Sequence, residues 1–276
     1  MARFQKLIFL LVLTVPAAAE TLVYLGTYTG GESKGIYRST LDETTGELSD
    51  PVLAAELENP SFVVVSPDQN YLFAVSENGK FKGEEGGGVS SFAIGEDGGL
   101  TLINQVNSGG GAPCHISTDP QGKCLLVANY MGGSISSYQI AADGKLVSPA
   151  AGGFIQHEGQ GAQLPRQASP HAHSVNVGPT GKRAYVADLG LDKVLIYKLD
   201  AAGGMIAPNA PPFLKLPDAT GPRHFSFHPS GKWAYTNLEM SLQVAALSHD
   251  AKTGALAVLE IESTVPEGTE RKGNST

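Results

Sequence analysis

Two sets of positions carry side chains of differing chemistry inside a frame that otherwise repeats. The first set is Ser61, Cys114, His173 and Arg223. The second, sixteen residues later in each case, is Glu77, Tyr130, Leu189 and Glu239. A purely structural position holds similar residues in every copy of a repeat, so varied chemistry at a constant place marks a candidate site. His173, Arg223 and Glu239 together suit the attack of water on an acyl group. A guanidinium holds a carboxylate or phosphate bidentately, or stabilises the oxyanion of a tetrahedral intermediate. A carboxylate such as Glu239, or the imidazole of His173, takes the proton of the attacking water. This chemistry needs no covalent nucleophile. Glu77 belongs to the second set and is a candidate to line the same site. His171 and His224 flank the three central residues and are candidates to touch substrate or to support those that do. The plainer alternatives are a satisfied core histidine at 173, a structural ion pair between Arg223 and Glu239, and a structural role for His115.

The frame consists of four similar segments: PSFVVVSPDQNYLFAVSEN from Pro60, PCHISTDPQGKCLLVANY from Pro113, AHSVNVGPTGKRAYVADL from Ala172 and PRHFSFHPSGKWAYTNLE from Pro222. Their internal prolines, Pro67, Pro120, Pro179 and Pro229, lie 53, 59 and 50 residues apart. Each segment reads as a strand, a Pro-x-Gly type turn and a second strand. A third strand follows (GGVSSFAI, GSISSYQI, DKVLIYKL, SLQVAAL), and a weaker fourth closes the unit. Four antiparallel strands every fifty or so residues describe the blade of a β-propeller. The first set begins the innermost strand of each blade. The second ends the neighbouring strand at the same rim, because the two strands are antiparallel. His173, Arg223, Glu239 and Glu77 are therefore expected to converge on one mouth of the central channel. The N-terminal segment TLVYLGTYT, GIYRSTLD and TGELSDPVLAAEL supplies only the second, third and fourth strands of a blade. The chain thus holds about four and three-quarter blades.

Composition fits this all-β reading. The 276 residues include 34 Gly and 17 Pro, as repeated turns require, and only 17% are charged against the ~25% usual for soluble domains. A hydrophobic content of 41% excludes a disordered chain. The net charge of −8 argues against a nucleic-acid surface. Residues 1–19, MARFQKLIFLLVLTVPAAA, have the basic start, short apolar run and small-residue cleavage site of a secretory signal peptide. The mature protein, 20–276, is expected to be exported to the periplasm or beyond, with no membrane attachment after cleavage. Cys114 and Cys124 flank the turn at Asp119-Pro120-Gln121-Gly122. A tight hairpin there puts Ser117 opposite Cys124 and Cys114 opposite Val127. The resulting offset of about 10 Å exceeds disulfide reach, so two buried free thiols are expected. The glycine runs 86–88 and 109–111 read as turns rather than phosphate loops. His171 and His173 lack a third metal ligand in sequence and no clustered Asp motif suggests calcium, so neither metal nor other cofactor is expected.

The order GTYTGG, NPSFVVVSPDQNYLFAVSE, SPHAHSV, GPRHFSFHPSGKWAY and NLE, from about residue 21 to 262, resembles the lactonase family of seven-bladed propellers. That family includes the propeller-type 6-phosphogluconolactonases and the fungal carboxy-muconate lactonising enzyme. The resemblance implies a seven-bladed fold, and it places a His, an Arg and a Glu at His173, Arg223 and Glu239. It also implies a second Arg in a later blade, which this chain lacks. A complete member needs about two further blades, so the chain reads as C-terminally shortened, with an incomplete site and open strand edges prone to aggregation. The implied activity is hydrolysis of a sugar lactone, by resemblance 6-phosphogluconolactone to 6-phosphogluconate. The alternatives are a lactonising isomerase acting on a muconate-like diacid and a non-catalytic exported binding propeller. The expected partner is a small lactone or sugar acid, and a complete protein is expected to be a monomer.

Overall fold

Runs such as Leu72–Val75 and Leu125–Ala128 are apolar on both faces of the strand, which is possible only where a sheet is covered on both sides. The computed structural model shows how that cover arises. It describes residues 21–148 and 151–269, so the leader-like segment 1–19 lies outside the described residues. Every regular element described is a strand.

The first sheet has three strands, β1 (Thr21–Leu25), β2 (Gly35–Leu41) and β3 (Val52–Glu56). The second has β4 (Val63–Val65), β5 (Tyr71–Ser76), β8 (Gly88–Ile94) and β9 (Leu100–Asn107), with a small hairpin of β6 (Lys80–Phe81) and β7 (Glu84–Glu85) inserted. The third has β10 (Pro113–Thr118), β11 (Cys124–Asn129), β12 (Ser134–Ile140), β13 (Leu146–Val147) and β14 (Phe154–Gln156). The fourth has β15 (Ala172–Val177), β16 (Arg183–Asp188), β17 (Lys193–Asp200) and β18 (Met205–Lys215). The fifth has β19 (Pro222–Phe227), β20 (Trp233–Leu238), β21 (Gln243–His249) and β22 (Leu256–Ser263). All pairings are antiparallel, in sequence order outward from the innermost strand. The expected blades, including the three-stranded first one, are therefore present.

Successive side chains of each strand point to opposite neighbours, and the core is the set of blade-to-blade seams. From β5, Leu72 and Ala74 pack toward the first blade while Phe73 and Val75 pack toward the third. From β11, Leu125 and Val127 face the second blade while Cys124, Leu126 and Ala128 face the fourth. From β16, Ala184 and Val186 face the third blade while Tyr185 and Ala187 face the fifth, where Tyr185 stacks on Phe225 at 5.5 Å. Each fully buried Leu, Ile or Val contributes about 1.5–3 kcal/mol, which explains how so few charges suffice.

The recurring Pro-x-Gly turn joins blades as well as strands. Gly122, Gly181 and Gly231 have φ of +65°, +70° and +68°, a region that disfavours a side chain. A Cβ on Gly122 would sit 3.3 Å from Pro67, one on Gly181 3.6 Å from Pro120, and one on Gly231 3.2 Å from Pro179. Each turn glycine thus lies against the turn proline of the preceding blade.

Two details differ from the sequence reading. The hairpin after β10 pairs Thr118 with Leu125 and Ser117 with Leu126, not Ser117 with Cys124. The cause is the buried Asp119, whose Oδ1 accepts the Lys123 and Cys124 amides at 2.6 and 2.7 Å and so widens the turn. Both cysteines are nonetheless free and buried. The fourth strand of the third blade is split into β13 and β14, which pair with opposite ends of β12.

The connection from β14 to β15, residues 157–171, is the long loop that matters for the site. One buried carboxylate ties both of its feet. Asp188 Oδ2 lies 2.6 Å from His157 Nδ1, and Asp188 Oδ1 accepts the His171 amide at 2.8 Å. His157 Nε2 in turn meets the Tyr197 hydroxyl at 3.0 Å. The middle of the loop is held by buried Gln167, which donates to Leu189 O and Asp192 Oδ1 at 2.7 and 2.8 Å. The side chains of His157 and Asp188 are wholly shielded from solvent, so deleting one partner strands the other. Asp188→Ala is expected to cost about 3–5 kcal/mol in urea unfolding. It should also make the loop more susceptible to trypsin at Arg166 than in the parent protein; a variant cleaved no faster than the parent contradicts the clamp.

Candidate active site

At the start of the innermost strands the pairing is irregular, and this irregularity aims the candidate side chains. The register slips between Pro113 and His115, between Ala172 and Ser174, and between Pro222 and Phe225. Cys114, His173 and Arg223 occupy these bulges, and a bulge bends the strand and re-aims its residue. Residues of the second set stand one position past the end of the next strand. Their amides make the same backbone bond in four blades: Glu77 N to Asn59 O, Tyr130 N to Ala112 O, Leu189 N to His171 O and Glu239 N to Gly221 O, at 2.8–3.0 Å. This bond closes the open end of each inner hairpin and brings the two sets side by side.

The result is a cavity of about 410 Å³ at the mouth of the channel. Arg223 is its centre. Its Nε lies 2.9 Å from Glu239 Oε2 and donates to His173 Nε2, also at 2.9 Å. Among the described residues both contacts run through Nε, so the Nη donors are not consumed. Arg166, from the 157–171 loop, places Nη2 3.1 Å from Glu239 Oε1 and donates through Nη1 to the Tyr130 hydroxyl. Glu239 therefore lies between two guanidiniums, with its side chain 14% exposed. On the other side of the mouth, Glu77 Oε2 accepts from the Ser61 hydroxyl and, at 2.8 Å, from the Tyr28 hydroxyl.

His173, Arg223, Glu239, Glu77 and His224 all line the cavity. His171 sits behind it: its ring stacks on Tyr130 at 4.7 Å and its Nδ1 lies 3.1 Å from Tyr130 O. His115 is buried, its ring tilted against Phe62 at 4.3 Å. Sequence reasoning missed two polar lining residues as candidates. Tyr28 stands three residues past the end of β1, in a blade that has no first strand from which to count. Arg166 lies in a loop with no counterpart in the repeat, so no positional signal pointed to it. Gly31-Glu32-Ser33-Lys34-Gly35 has the spacing of a nucleophile elbow, but it joins two strands and no helix follows. Ser33 Oγ is 2.5 Å from Thr27 Oγ1. A second cavity, about 480 Å³, is lined by Ser136, Ser137 and Tyr138, whose hydroxyls are spent on backbone carbonyls. It brings together no acid and base. Among the described residues no group of three or more His, Cys, Asp or Glu is placed to hold a metal.

Electrostatics separates the histidines from the carboxylates. Burial, then the Arg223 charge and His224, pushes His173 down to about 3. It is neutral at physiological pH, and accepting at Nε2 assigns its proton to Nδ1, which faces Cys114 Sγ at 3.9 Å. Burial, with His224 and His173 nearby, likewise pushes His115 down to about 3, and burial with Arg223 lowers His224. Burial, then the Glu77 charge, pushes the Cys114 thiol up, so it is no thiolate nucleophile. Histidines of depressed pKa bind protons more readily in the unfolded chain, near the ordinary 6.5. Their contribution to stability is full above that pH and is lost as the pH falls from 6.5 toward about 3. Thermal melting should therefore drop steadily across this window, and His115→Gln should flatten the dependence. A slope unchanged in that variant rules out His115 as its source.

Comparison with known proteins agrees with this fold. A model of the family described as lactonase, 7-bladed beta-propeller, matches residues 22–276. The chain is 35% identical to the 6-phosphogluconolactonase of Bacillus subtilis over 251 residues, covering 88% of this chain and 67% of that one. The solved structure of the periplasmic gluconolactonase of Pseudomonas aeruginosa superposes with a TM-score of 0.81 at 34% identity, covering 91% of this chain and 70% of that one. A Lactobacillus plantarum protein of solved structure matches equally well, with a TM-score of 0.81, 33% identity, and coverage of 91% and 69%. Five propeller blades, the constant frame around a varied mouth and a family model matched over nearly the whole chain lead to one conclusion: the chain belongs to the lactonase family of seven-bladed β-propellers.

Proposed function

We propose that this protein hydrolyses a sugar lactone to the corresponding sugar acid, with 6-phosphogluconolactone to 6-phosphogluconate as the nearest precedent among its relatives. The observation that carries this reading is the Arg166–Glu239–Arg223 array beside a neutral His173 at the channel mouth. Two guanidiniums around one carboxylate leave an excess positive charge on that wall. Such a wall suits a lactone whose ring carbonyl becomes an oxyanion, and whose product is a carboxylate. Arg223 is pinned through Nε by His173 and Glu239, which holds its Nη groups in a fixed fan without cost at the moment of reaction. A water adds to the acyl carbon, a base in the mouth takes its proton, and the ring oxygen leaves with a proton. The cavity of about 410 Å³ is of the size usual for a small ligand.

The leader-like residues 1–19, and the printed description of the Pseudomonas relative as periplasmic, support an exported protein. The substrate is then an extracytoplasmic sugar lactone rather than one confined to the cytosol. Proton release from δ-gluconolactone and its 6-phosphate, corrected for spontaneous ring opening, tests the reading. Arg223→Ala is expected to lower kcat/KM by about 10²–10³-fold, the loss typical of one oxyanion donor. A parent protein that binds these lactones without turnover supports a binding propeller instead, and turnover of a muconate-type diacid alone supports the isomerase.

A further inference from the structure

The mouth offers three candidate proton acceptors, and the geometry distinguishes them. Glu239 has one guanidinium on each carboxylate oxygen, at 2.9 and 3.1 Å. Taking up a proton there gives up two partly buried ion pairs. His173 presents Nε2 to the Arg223 N–H at 2.9 Å, so its lone pair is already used and its other ring nitrogen carries the proton. Glu77 differs from both. Its Oε2 is oriented by the Ser61 and Tyr28 hydroxyls, and Oε1 makes no hydrogen bond among the described residues. It stands on the blade across the cavity from the arginine wall. Burial, and then its bond to Glu77, pushes Tyr28 up, so the phenol stays a donor.

We infer that Glu77, oriented by Ser61 and Tyr28, is the general base that deprotonates the attacking water, while Glu239 holds the two arginines in place. This rests on the lactone-hydrolase reading. Glu77 Oε1 takes a proton from water as the water oxygen bonds to the lactone carbonyl carbon. The carbonyl π pair moves onto oxygen, facing the Arg166 and Arg223 donors. Collapse re-forms the carbonyl and breaks the bond from acyl carbon to ring oxygen, and that oxygen takes the proton back from Glu77. The products are the open hydroxy acid and the starting carboxylate. The other groups facing Glu77 are Tyr28 from the first blade, the Cys114 thiol from the third, and the His173, His224 and Arg223 side across the mouth.

The test compares proton-release kinetics of Glu77→Gln, Glu239→Gln and Tyr28→Phe with the parent protein on δ-gluconolactone from pH 4 to 7, each checked for an intact melting transition. Glu77→Gln is expected to lose about 10²-fold or more in kcat, with KM within about threefold, and to lose the acid limb of the profile. Formate should restore part of the activity of Glu77→Ala. Tyr28→Phe removes a donor that orients the carboxylate, so its kcat should fall while KM stays within about threefold. Glu239→Gln should raise KM and keep the acid limb. An active parent with a Glu77→Gln variant that keeps kcat within about threefold, or keeps the acid limb, overturns the assignment alone. So does loss of that limb in Glu239→Gln only. A parent without activity on either lactone overturns the lactone reading, and this assignment with it.

Discussion

One backbone hydrogen bond, repeated in four blades, holds the site together. The amide that follows the second strand donates to the carbonyl two residues before the first-set position. It closes the inner hairpin at the end away from the Pro-x-Gly turn. Once it forms, the first-set residue and the residue sixteen positions later stand next to each other at the same rim. In the second blade this yields the Ser61–Glu77 bond, and in the fifth the Arg223–Glu239 ion pair. The same closure is indifferent to side-chain type, because only main-chain atoms take part. That indifference lets the frame stay constant while the chemistry at its rim changes from blade to blade.

The two rims of the inner hairpins therefore do different work. At one, the turn glycines of the third, fourth and fifth blades lie against the proline of the preceding blade at a positive φ that disfavours a side chain, while Gln69 holds that place in the second blade. At the other, polar and charged groups accumulate on top of apolar seams. Charges there are costly unless paired, and each is paired: Glu239 with two arginines, Glu77 with two hydroxyls, Asp188 with His157 and two amides. The pairing fixes rotamers and so fixes geometry, a gain that an exposed ion pair of about 0–1 kcal/mol does not provide.

What was legible in the sequence follows from what repeats. Periodicity of prolines and apolar runs exposed the blades, and the offset of sixteen exposed the convergence of His173, Arg223, Glu239 and Glu77. Tyr28 lies three residues past β1 in the incomplete first blade, and without a first strand there is no position to count sixteen from. The register at Asp119 was illegible because a single buried carboxylate, accepting two amides of its own turn, changes the hairpin closure without changing the turn motif. Arg166 was illegible for a stronger reason. Its position depends on Asp188, Gln167 and Asp192 acting across more than twenty residues of chain, and none of these contacts recurs in another blade.

The fourth blade shows why that loop is there. Its second-set position holds Leu189, which is fully buried and offers the mouth no polar group. The Leu189 carbonyl instead accepts from Gln167, and Gly190 lets the loop backbone approach so closely that a Cβ there would sit 2.0 Å from Ser169 O. The loop thus lies across the blade whose second-set position is apolar. Its Arg166 reaches past Tyr130 to Glu239 and fills the place that Leu189 leaves empty of charge. A repeat that varies only two positions per blade has few ways to set two cations on one carboxylate, since one rim neighbour of Glu239 is already Arg223 and the rim position of the fourth blade is Leu189. Bringing the second cation from an insertion solves this, and it makes the buried clamp beneath the loop part of the site rather than of the scaffold.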